Sequence, residues 1–319
     1  MISANAVGLV FANAHEMGVP ELVARRTMGS VPFGGRYHLI DFCLSGMADA
    51  GIRDVAVITR KNYQSLMDHL GNGREWDLSR KRGGLIIFPP YAREGREPYV
   101  NRIESISTVL DYLTYQKEEL VVISDCNIAF NMDFRELLDS HRAAKADITV
   151  VYERNHIEGT MLKDNVVIMQ DDEGFVSGLR VNDFVKGERK LSMNIFVVGR
   201  ELLINLVRES VVQGIKGFET EYLVTNLKKL RVYGYEYTGY RARIHDMQSY
   251  FFENLRLIDP KNLAALFPKE RMIYTKVRDE APVRYAIGSR TSRCLVAVGS
   301  IIEGDIENCV LFRGVRVGK

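Results

Sequence analysis

The stretch HLIDFCLSGMADAGIRDVAVIT, residues 38–59, decides the fold class. Residues 38–50 have the apolar spacing of a helix, and Gly51 follows in the position where helices usually end. DVAVIT at 54–59 is a short apolar run with β-branched residues, which predicts a buried strand. A helix that leads directly into a buried strand is typical of α/β proteins.

The same alternation continues on both sides of this stretch. It predicts strands at 6–11, 85–90, 120–124 and 147–153, and helices at 62–70, 102–116 and 134–146. Strands that alternate with helices favour a mostly parallel, doubly wound sheet of the Rossmann-like kind. Because ligands of such sheets bind outside the carboxyl ends of the strands, we expect the functional site there.

The pattern becomes richer in strands after residue 147. It predicts two strands around a polar turn in 166–179, a strand at 192–198, a helix at 200–213, strands within 231–246, and a helix at 249–259 that Pro260 ends. We therefore take residues 1–258 as one α/β domain and residues 259–284 as a linker.

The last segment, residues 285–319, follows a different period. Small residues separate apolar ones that recur in steps of about six, as in a hexapeptide repeat, namely Ile287, Leu295, Val298, Ile302, Ile306, Val310 and Val315. Each step of such a repeat forms one flat side of a triangular coil. The segment therefore predicts a short, incomplete left-handed parallel β-helix of about two coils.

Composition excludes several classes of protein. The chain has 43 basic and 41 acidic residues and a net charge of +2, so no basic surplus indicates a nucleic-acid partner. Its four cysteines show no CxxC spacing and are interpreted as buried thiols of a reducing compartment. No apolar run approaches the length of a membrane span. We expect a soluble cytoplasmic protein with no membrane partner.

Three segments resemble the ADP-glucose pyrophosphorylase (glucose-1-phosphate adenylyltransferase) family. They are SVPFGGRYHLIDFCLSGMADAGI at 30–52, SMNIFVV at 192–198 and NCVLFRGVRVG at 308–318. The resemblance implies a nucleotidyltransferase domain followed by a β-helix. In that family, glucose 1-phosphate attacks the α-phosphate of ATP, pyrophosphate leaves, and Mg²⁺ assists the displacement.

The family's phosphate-binding loop is replaced in this chain. The family loop reads like LAGGRGTRL, whereas this sequence has VFANAHEMGV at 10–19. The resemblance places Asn13, Ala14 and Glu16 where the family has glycines, Gly18 where it has a catalytic arginine, and Met28 where it has a lysine. Side chains block the close approach of a triphosphate, and a carboxylate repels it.

The remaining family positions are also changed. Asn127 and Arg243 fall where the family has metal-binding aspartates, and Thr220 falls where it has the lysine of its FGK motif. Asp125 lies two residues before Asn127 and is the one candidate for a metal ligand, although a carboxylate at a βα turn more often caps the backbone. The family's WYRGTADAV motif, which helps hold the adenine, aligns with PYVNRIESI at 98–106, so the resemblance makes Tyr99 a remnant of the nucleotide pocket and places Arg102 where the family has a threonine.

The resemblance therefore implies the non-catalytic, GlgD-type branch of the family. Members of that branch regulate a catalytic subunit in a mixed tetramer, and we expect this chain to be inactive alone and to need no cofactor of its own. Two alternatives stay open: an active adenylyltransferase with a rebuilt site, and a stand-alone sugar-phosphate sensor. A β-helix acyltransferase needs a histidine in its coils, and this chain has no histidine after His245.

Arg25, Arg26 and Arg36 surround the VPFGG turn and form the candidate effector site. The resemblance implies that they bind an anionic effector, either a sugar phosphate or inorganic phosphate. The alternative is that they are solvated surface charges or interdomain salt bridges.

Other polar and aromatic residues have less specific patterns. Trp76 lies in the polar, glycine-rich segment GNGREWDLSRKRGG at 71–84, and we expect an exposed ring there. His15, His38 and His245 lack the spacing of metal ligands, which favours structural roles.

Overall fold

The computed structural model describes residues 4–90, 101–157, 165–183 and 185–319. The strands are β1 Ala6–Phe11, β2 Pro32–Phe33, β3 Tyr37–His38, β4 Val55–Ile58, β5 Leu85–Phe88, β6 Leu120–Asp125, β7 Ile128–Phe130, β8 Ile148–Ile157, β9 Val166–Gln170, β10 Val176–Val181, β11 Gly187–Gly199, β12 Val232–Glu236, β13 Arg241–Arg243, β14 Arg284–Tyr285, β15 Thr291–Ser292, β16 Leu295–Val296, β17 Ile301–Ile302, β18 Ile306–Glu307, β19 Val310–Leu311 and β20 Arg316–Val317.

The helices are α1 Pro20–Val23, α2 Leu39–Asp49, α3 Gln64–Leu70, α4 Arg102–Ser107, α5 Leu110–Tyr115, α6 Phe134–Ala143, α7 Arg200–Gln213, α8 Val224–Asn226, α9 Met247–Arg256 and α10 Pro260–Leu266. A π-helix covers Phe218–Leu223. Within the described ranges, none of these helices combines the length and the apolar character needed to cross a bilayer.

A large sheet forms the centre of the fold. Its order is β10-β9-β11-β6-β1-β4-β5, and β8 joins β11 to β12. Strands β6, β1, β4 and β5 are parallel, as predicted, whereas β11 runs antiparallel to both β6 and β8. The protein is therefore an α/β protein whose sheet is parallel at its centre and partly antiparallel toward β10.

Helices cover both faces of the sheet because its strands are apolar on both sides. Every residue of β1 is buried. Val10 packs in the apolar cluster with α2, α3 and α6, whereas its neighbour Leu9 packs in the cluster with α4, α5 and α7. The side chains alternate between the two faces, as a strand requires.

Two predicted boundaries differ from the structure. The single helix predicted at 102–116 is two short helices, α4 and α5. Pro260 begins α10 inside the predicted linker, and Asp259 caps that helix by accepting a hydrogen bond from the Lys261 amide at 2.8 Å. Proline is favoured in the first turn because its missing N–H has no intrahelical partner there.

The C-terminal strands form three small parallel sheets, which are β14-β17-β20, β15-β18 and β16-β19. Paired residues lie 15 positions apart in β15-β18, β16-β19 and β17-β20, where three steps of six predict 18. Ile302 and Ile306 are buried as expected. Ile287 is wrong as an interior position, because its side chain is fully exposed at the end of the stack where β14 pairs only with β17 among the described strands.

These coils pack against the α/β part of the chain. Leu295 contacts the apolar cluster that contains Leu39 and Leu257. A Cβ placed on Gly35, whose φ is +85°, would lie 3.7 Å from both the Ala297 Cβ and the Leu311 carbonyl oxygen. The turn at Gly35 is therefore seated directly on the coils.

Candidate functional site

A cavity of about 340 Å³ lies at the carboxyl ends of β1, β4 and β6. The last residue of each strand, namely Phe11, Ile58 and Asp125, contributes to its wall. The rest of the wall comes from the segments 13–15, 101–105 and 216–220 and from Arg60. The cavity therefore lies at the sheet edge where the sequence predicts a site.

The loop after β1 is held in place by its own side chains. Asn13 is buried, and its Nδ2 donates to Glu16 Oε1 at 2.6 Å and to the Lys61 carbonyl oxygen at 3.1 Å. Its Oδ1 accepts a hydrogen bond from the Arg60 amide at 2.7 Å. Burial raises the pKa of Glu16 above its ordinary value, although Asn13 opposes the shift. The loop after β1 therefore carries a buried side chain, hydrogen-bonded to the segment after β4, where the resembling family has a glycine.

Gly18, Met28 and Ala14 each have a packing role. A Cβ on Gly18 would lie 1.8 Å from the carbonyl oxygen of His245, so no side chain fits there without moving that backbone. Met28 is fully buried in the cluster with Phe33. Ala14 packs against the cluster on the α4–α7 face of the sheet. The positions that lack the family's charged groups are thus filled by contacts that stabilise the fold.

Asp125 is buried and contacts two basic side chains, an arginine and a histidine. Arg102 donates from its two terminal nitrogens to Oδ1 at 3.0 Å and Oδ2 at 2.8 Å, and His15 Nε2 lies 2.9 Å from Oδ2. Burial alone would raise the pKa of Asp125, but the charge of Arg102 and the contact with His15 lower it overall. The carboxylate is therefore ionised and already neutralised.

Arg102 extends across the cavity. Its Nε lies 3.0 Å from Glu219 Oε1 on the opposite wall, and its guanidinium stands 4.8 Å from the ring centre of Phe11. Asn101 fixes its direction by capping α4, since Asn101 Oδ1 accepts from the Glu104 amide at 2.9 Å. The side chain occupies the space between β6 and the 216–220 segment.

His15 is held by a distortion of β11. Its backbone has a positive φ of 61°, and its Nε2 lies 3.0 Å from Nδ2 of Asn194. Asn194 also has a positive φ, of 56°, and lies in an irregularity of the β11–β8 pairing between Ser192 and Ile195. Bulges often direct a side chain toward a site in this way. The sequence did not indicate that Asn194 or His15 would meet Asp125.

Arg243 belongs to a second ion cluster. Its Nε donates to Glu153 Oε1 at 2.9 Å, and Arg241 Nε donates to Glu153 Oε2 at 2.6 Å. Burial alone would raise the pKa of Glu153, but these two guanidinium groups outweigh it and lower the value. Asn127 is buried nearby, and its carbonyl accepts from the Ile244 amide at 2.8 Å, which fixes β13 against β7.

The residues that the structure describes do not fit a magnesium ion. They contain no group of three or more His, Cys, Asp or Glu side chains placed to hold a metal. Asp125 is engaged by Arg102, and Arg243 carries the wrong charge for a ligand. Thr220 is exposed on the cavity rim, and Tyr99 lies outside the described residues.

The candidate effector arginines lie beside the coils. Arg25 and Arg36 are exposed and Arg26 is half-buried, and none of them forms an ion pair within the described ranges. The guanidinium of Arg36 stands 5.0 Å from the ring centre of Tyr37. The structure therefore leaves all three charges without a carboxylate partner.

Positive charge is concentrated around His38. Burial lowers the pKa of His38 to about 2, and the neighbouring His69, Arg26, Arg278 and Arg313 contribute in the same direction. Arg278 and Arg313 come from the segment before the coils and from the coils themselves. The cationic surface is therefore shared between two parts of the chain.

The expectation of an exposed Trp76 is wrong. Its ring is 1% exposed and packs edge-on against His69 with ring centres 5.8 Å apart. His69 in turn stacks on His38 at 3.8 Å and contacts Asp41 Oδ1 through Nε2 at 2.6 Å. A short 3₁₀ turn folds the polar segment inward, which the composition of that segment did not indicate.

Comparisons with known proteins agree with this architecture. The model of the nucleotidyl transferase family matches residues 22–186. The chain is 33% identical over 320 residues to the glycogen biosynthesis protein GlgD of Bacillus subtilis (strain 168), covering 100% of this chain and 82% of that protein. It is 31% identical over 321 residues to the GlgD protein of Geobacillus stearothermophilus, covering 98% and 81%. It is also 31% identical over 332 residues to the glucose-1-phosphate adenylyltransferase of Thermotoga maritima, covering 99% and 75%.

Proposed function

The chain belongs to the nucleotidyl transferase family, in the group that contains GlgD proteins and glucose-1-phosphate adenylyltransferases, and we propose that it is a regulatory, catalytically inactive subunit of such an adenylyltransferase in bacterial glycogen biosynthesis. The assembly would convert ATP and glucose 1-phosphate to ADP-glucose and pyrophosphate. The observation that carries the proposal is the ion pair between Arg102 and Asp125, which occupies the cavity.

Catalysis of this displacement depends on positioned cations, a bare phosphate-binding backbone and carboxylates that hold the metal. In this cavity the buried side chain of Asn13 replaces a glycine of the family's loop, and the nearest carboxylate is neutralised by Arg102. Losing one transition-state donor typically costs about 10²–10³ in rate. Several such losses in one site do not multiply simply, but together they remove the family's loop glycines, catalytic arginine and lysine from the site where pyrophosphate would leave.

A catalytically inactive subunit can affect the reaction only through a catalytic subunit. We propose that this chain and such a subunit form a mixed tetramer. The similarity to relatives of both names extends over nearly the whole chain, which supports retention of the family's shape. We propose that residues 1–258 form the nucleotidyltransferase-like domain, that residues 259–284 connect the two parts, and that residues 285–319 belong to a left-handed parallel β-helix. The in-register parallel strands β14 to β20 support that assignment.

We further propose that Arg26 and Arg36, with Arg25 at the edge, bind an anionic effector such as a sugar phosphate or inorganic phosphate. The unpaired charges and the position beside the coils support this. The test is titration calorimetry with inorganic phosphate. Arg36→Ala should weaken binding about tenfold or more, whereas Arg53→Ala, at an exposed arginine in the loop before β4, should not.

The main experiment measures pyrophosphate release with Mg²⁺, ATP and glucose 1-phosphate. We expect none from this chain alone, and a changed KM or kcat of a catalytic subunit when the two are co-expressed. Arg102→Thr removes the guanidinium that pairs with Asp125, but because the described residues contain no group of three metal ligands, it should produce neither Mg²⁺ binding nor pyrophosphate release, while Arg53→Thr serves as the control.

The alternative of an active, rebuilt enzyme predicts the opposite result. Magnesium-dependent release by the purified chain, abolished by Asp125→Asn, would refute the inactive assignment. The alternative of a stand-alone sensor predicts tight phosphate binding without any effect on a catalytic subunit. Co-expression and calorimetry together therefore separate the three possibilities.

A further inference from the structure

Cys294 and Cys309 occupy equivalent positions on neighbouring coils. Cys294 directly precedes β16 and Cys309 directly precedes β19. These strands are parallel, with Leu295 opposite Val310. The two cysteines are therefore adjacent in space and in register, although they are well separated along the chain.

The backbone has the same shape at both positions. Arg293 and Asn308, which precede the two cysteines, have positive φ values of 51° and 52°. Each thiol donates to the carbonyl oxygen two residues back, at 3.1 Å for Cys294 and 3.0 Å for Cys309. Because the two corners repeat each other, the sulfur atoms stack and lie within hydrogen-bonding reach of each other.

This separation suits a disulfide. Neighbouring strands of a sheet lie about 4.8 Å apart, and disulfides join Cα atoms that are about 4.4–6.8 Å apart. Both thiols are partly exposed, which corrects the expectation that all four cysteines are buried. A small reagent can therefore reach them.

The other two cysteines provide a comparison within the same molecule. Cys43 and Cys126 also contact each other, but both lie in the core beneath the central sheet. Because burial raises the pKa of Cys126 and excludes solvent, this pair has little thiolate and no access to reagents. The chain thus contains one accessible and one inaccessible thiol pair.

We propose that Cys294 and Cys309 form a dithiol that low-molecular-weight disulfides oxidise to an intrachain disulfide between the two coils. The Cys294 thiolate attacks one sulfur of the reagent and releases one thiolate. The Cys309 thiolate then attacks the Cys294 sulfur of the mixed disulfide and releases the second. The two protein protons pass to the two released thiolates, and the reagent gains the two electrons that the protein loses.

Either thiol can begin the exchange because both are partly exposed, and the scheme is the same with the roles of Cys294 and Cys309 reversed. The bridge would join β16 and β19 close to Ala297 and Leu311, the two residues that the turn at Gly35 approaches. Oxidation would therefore hold together the face on which the α/β part of the chain rests.

The test treats the full chain with oxidised glutathione and measures its intact mass. The remaining thiols are then alkylated for a peptide map. We expect the wild-type chain to lose about 2 Da as two hydrogens leave, with the bridge mapped to Cys294 and Cys309. Cys294→Ser and Cys309→Ser should each instead retain one glutathione and gain about 305 Da, because no second thiol resolves the adduct.

Cys43→Ala is the matched control and should lose the same mass as the wild-type chain. If that variant does not fold, the wild-type peptide map still distinguishes the two pairs. A bridge between Cys43 and Cys126, two stable adducts on the wild-type chain, or thiols that react only after unfolding would overturn the proposal.

Discussion

Asp125 and Glu153 are both buried carboxylates, and each contacts nitrogen atoms of two other side chains. The partners of Asp125 are Arg102 and His15, which come from two separate segments on the wall of the cavity. The partners of Glu153 are Arg241 and Arg243, two residues apart on one strand. The Asp125 cluster lies on the wall of the cavity, whereas the Glu153 cluster joins β13 to β8.

The comparison shows how ion pairs can occupy the two positions at which the resembling family binds a metal. Asp125 lies near the first metal position of the resembling family, and Arg243 occupies the second. Each position now belongs to its own ion pair, so no buried charge is left uncompensated. Removing a partner from either cluster should therefore destabilise the protein, but only one removal should open a cavity.

The largest effect should come from Glu153→Gln. Two guanidinium groups would lose their only carboxylate among the described contacts, and breaking a buried ion cluster typically costs about 3–5 kcal/mol. Urea denaturation measures this loss. A change below about 1 kcal/mol would mean that water or another group compensates the arginines.

Arg102→Leu should have a somewhat smaller effect, of about 3 kcal/mol, because His15 remains beside Asp125. The double variant with Asp125→Asn should recover part of the loss, since the uncompensated charge is then removed as well. A double-mutant cycle in urea tests this. Additive losses would contradict direct coupling between the two side chains.

The third effect is on the pH dependence of unfolding. The pKa values of Asp125 and Glu153 are lowered by folding from ordinary values of 3.8 and 4.5. Their contribution is therefore complete above those values and is lost as the pH falls through the lower folded values. Glu153→Gln should make the stability curve shallower below pH 4.5, which thermal scans across pH would detect.

His38 acts in a different range of pH. Its pKa falls from 6.5 to about 2 on folding, so the unfolded chain takes up a proton first and stability declines as the pH falls below 6.5. His38→Phe should flatten the curve from pH 6.5 down to about pH 2, and between pH 6.5 and 4.5 its effect is separate from that of the two carboxylates. An unchanged slope between those values would contradict the lowered pKa.

The smallest effect should come from Glu236→Gln. Glu236 pairs with Arg154 at 2.7 Å, but this pair lies at the surface, where exposed ion pairs contribute little. The urea midpoint should not change measurably. A loss as large as that of Glu153→Gln would mean that charge alone, and not burial, decides the energies of these clusters.

The pattern of apolar residues predicted the central strands well, because the burial of each strand is visible in its own local sequence. The same local pattern predicted the hairpin of β9 and β10 and placed the cavity at the strand ends. The ion pair that fills the cavity joins residues 23 positions apart, and His15 lies 110 positions from Asp125. Such pairs leave no spacing signal in one sequence, although a new arginine near a retained carboxylate was a usable hint.

Burial of polar segments was also hard to predict. Trp76 was expected outside because its neighbours are polar and glycine-rich, yet its ring packs inside against His69, which is itself held by Asp41 and His38. The coil period is 15 residues and not the expected 18, so each coil is three residues shorter than three hexapeptide steps. These features depend on tertiary contacts that composition does not encode.

The close approach of Gly18 to the His245 carbonyl limits how this loop can be re-engineered. Any residue larger than glycine at position 18 would collide with main-chain atoms of a distant segment, so an arginine introduced there requires that segment to move. A single substitution at position 18 should therefore lower stability before it could add any charge to the cavity, and a redesign of the loop has to begin with the backbone around residue 245.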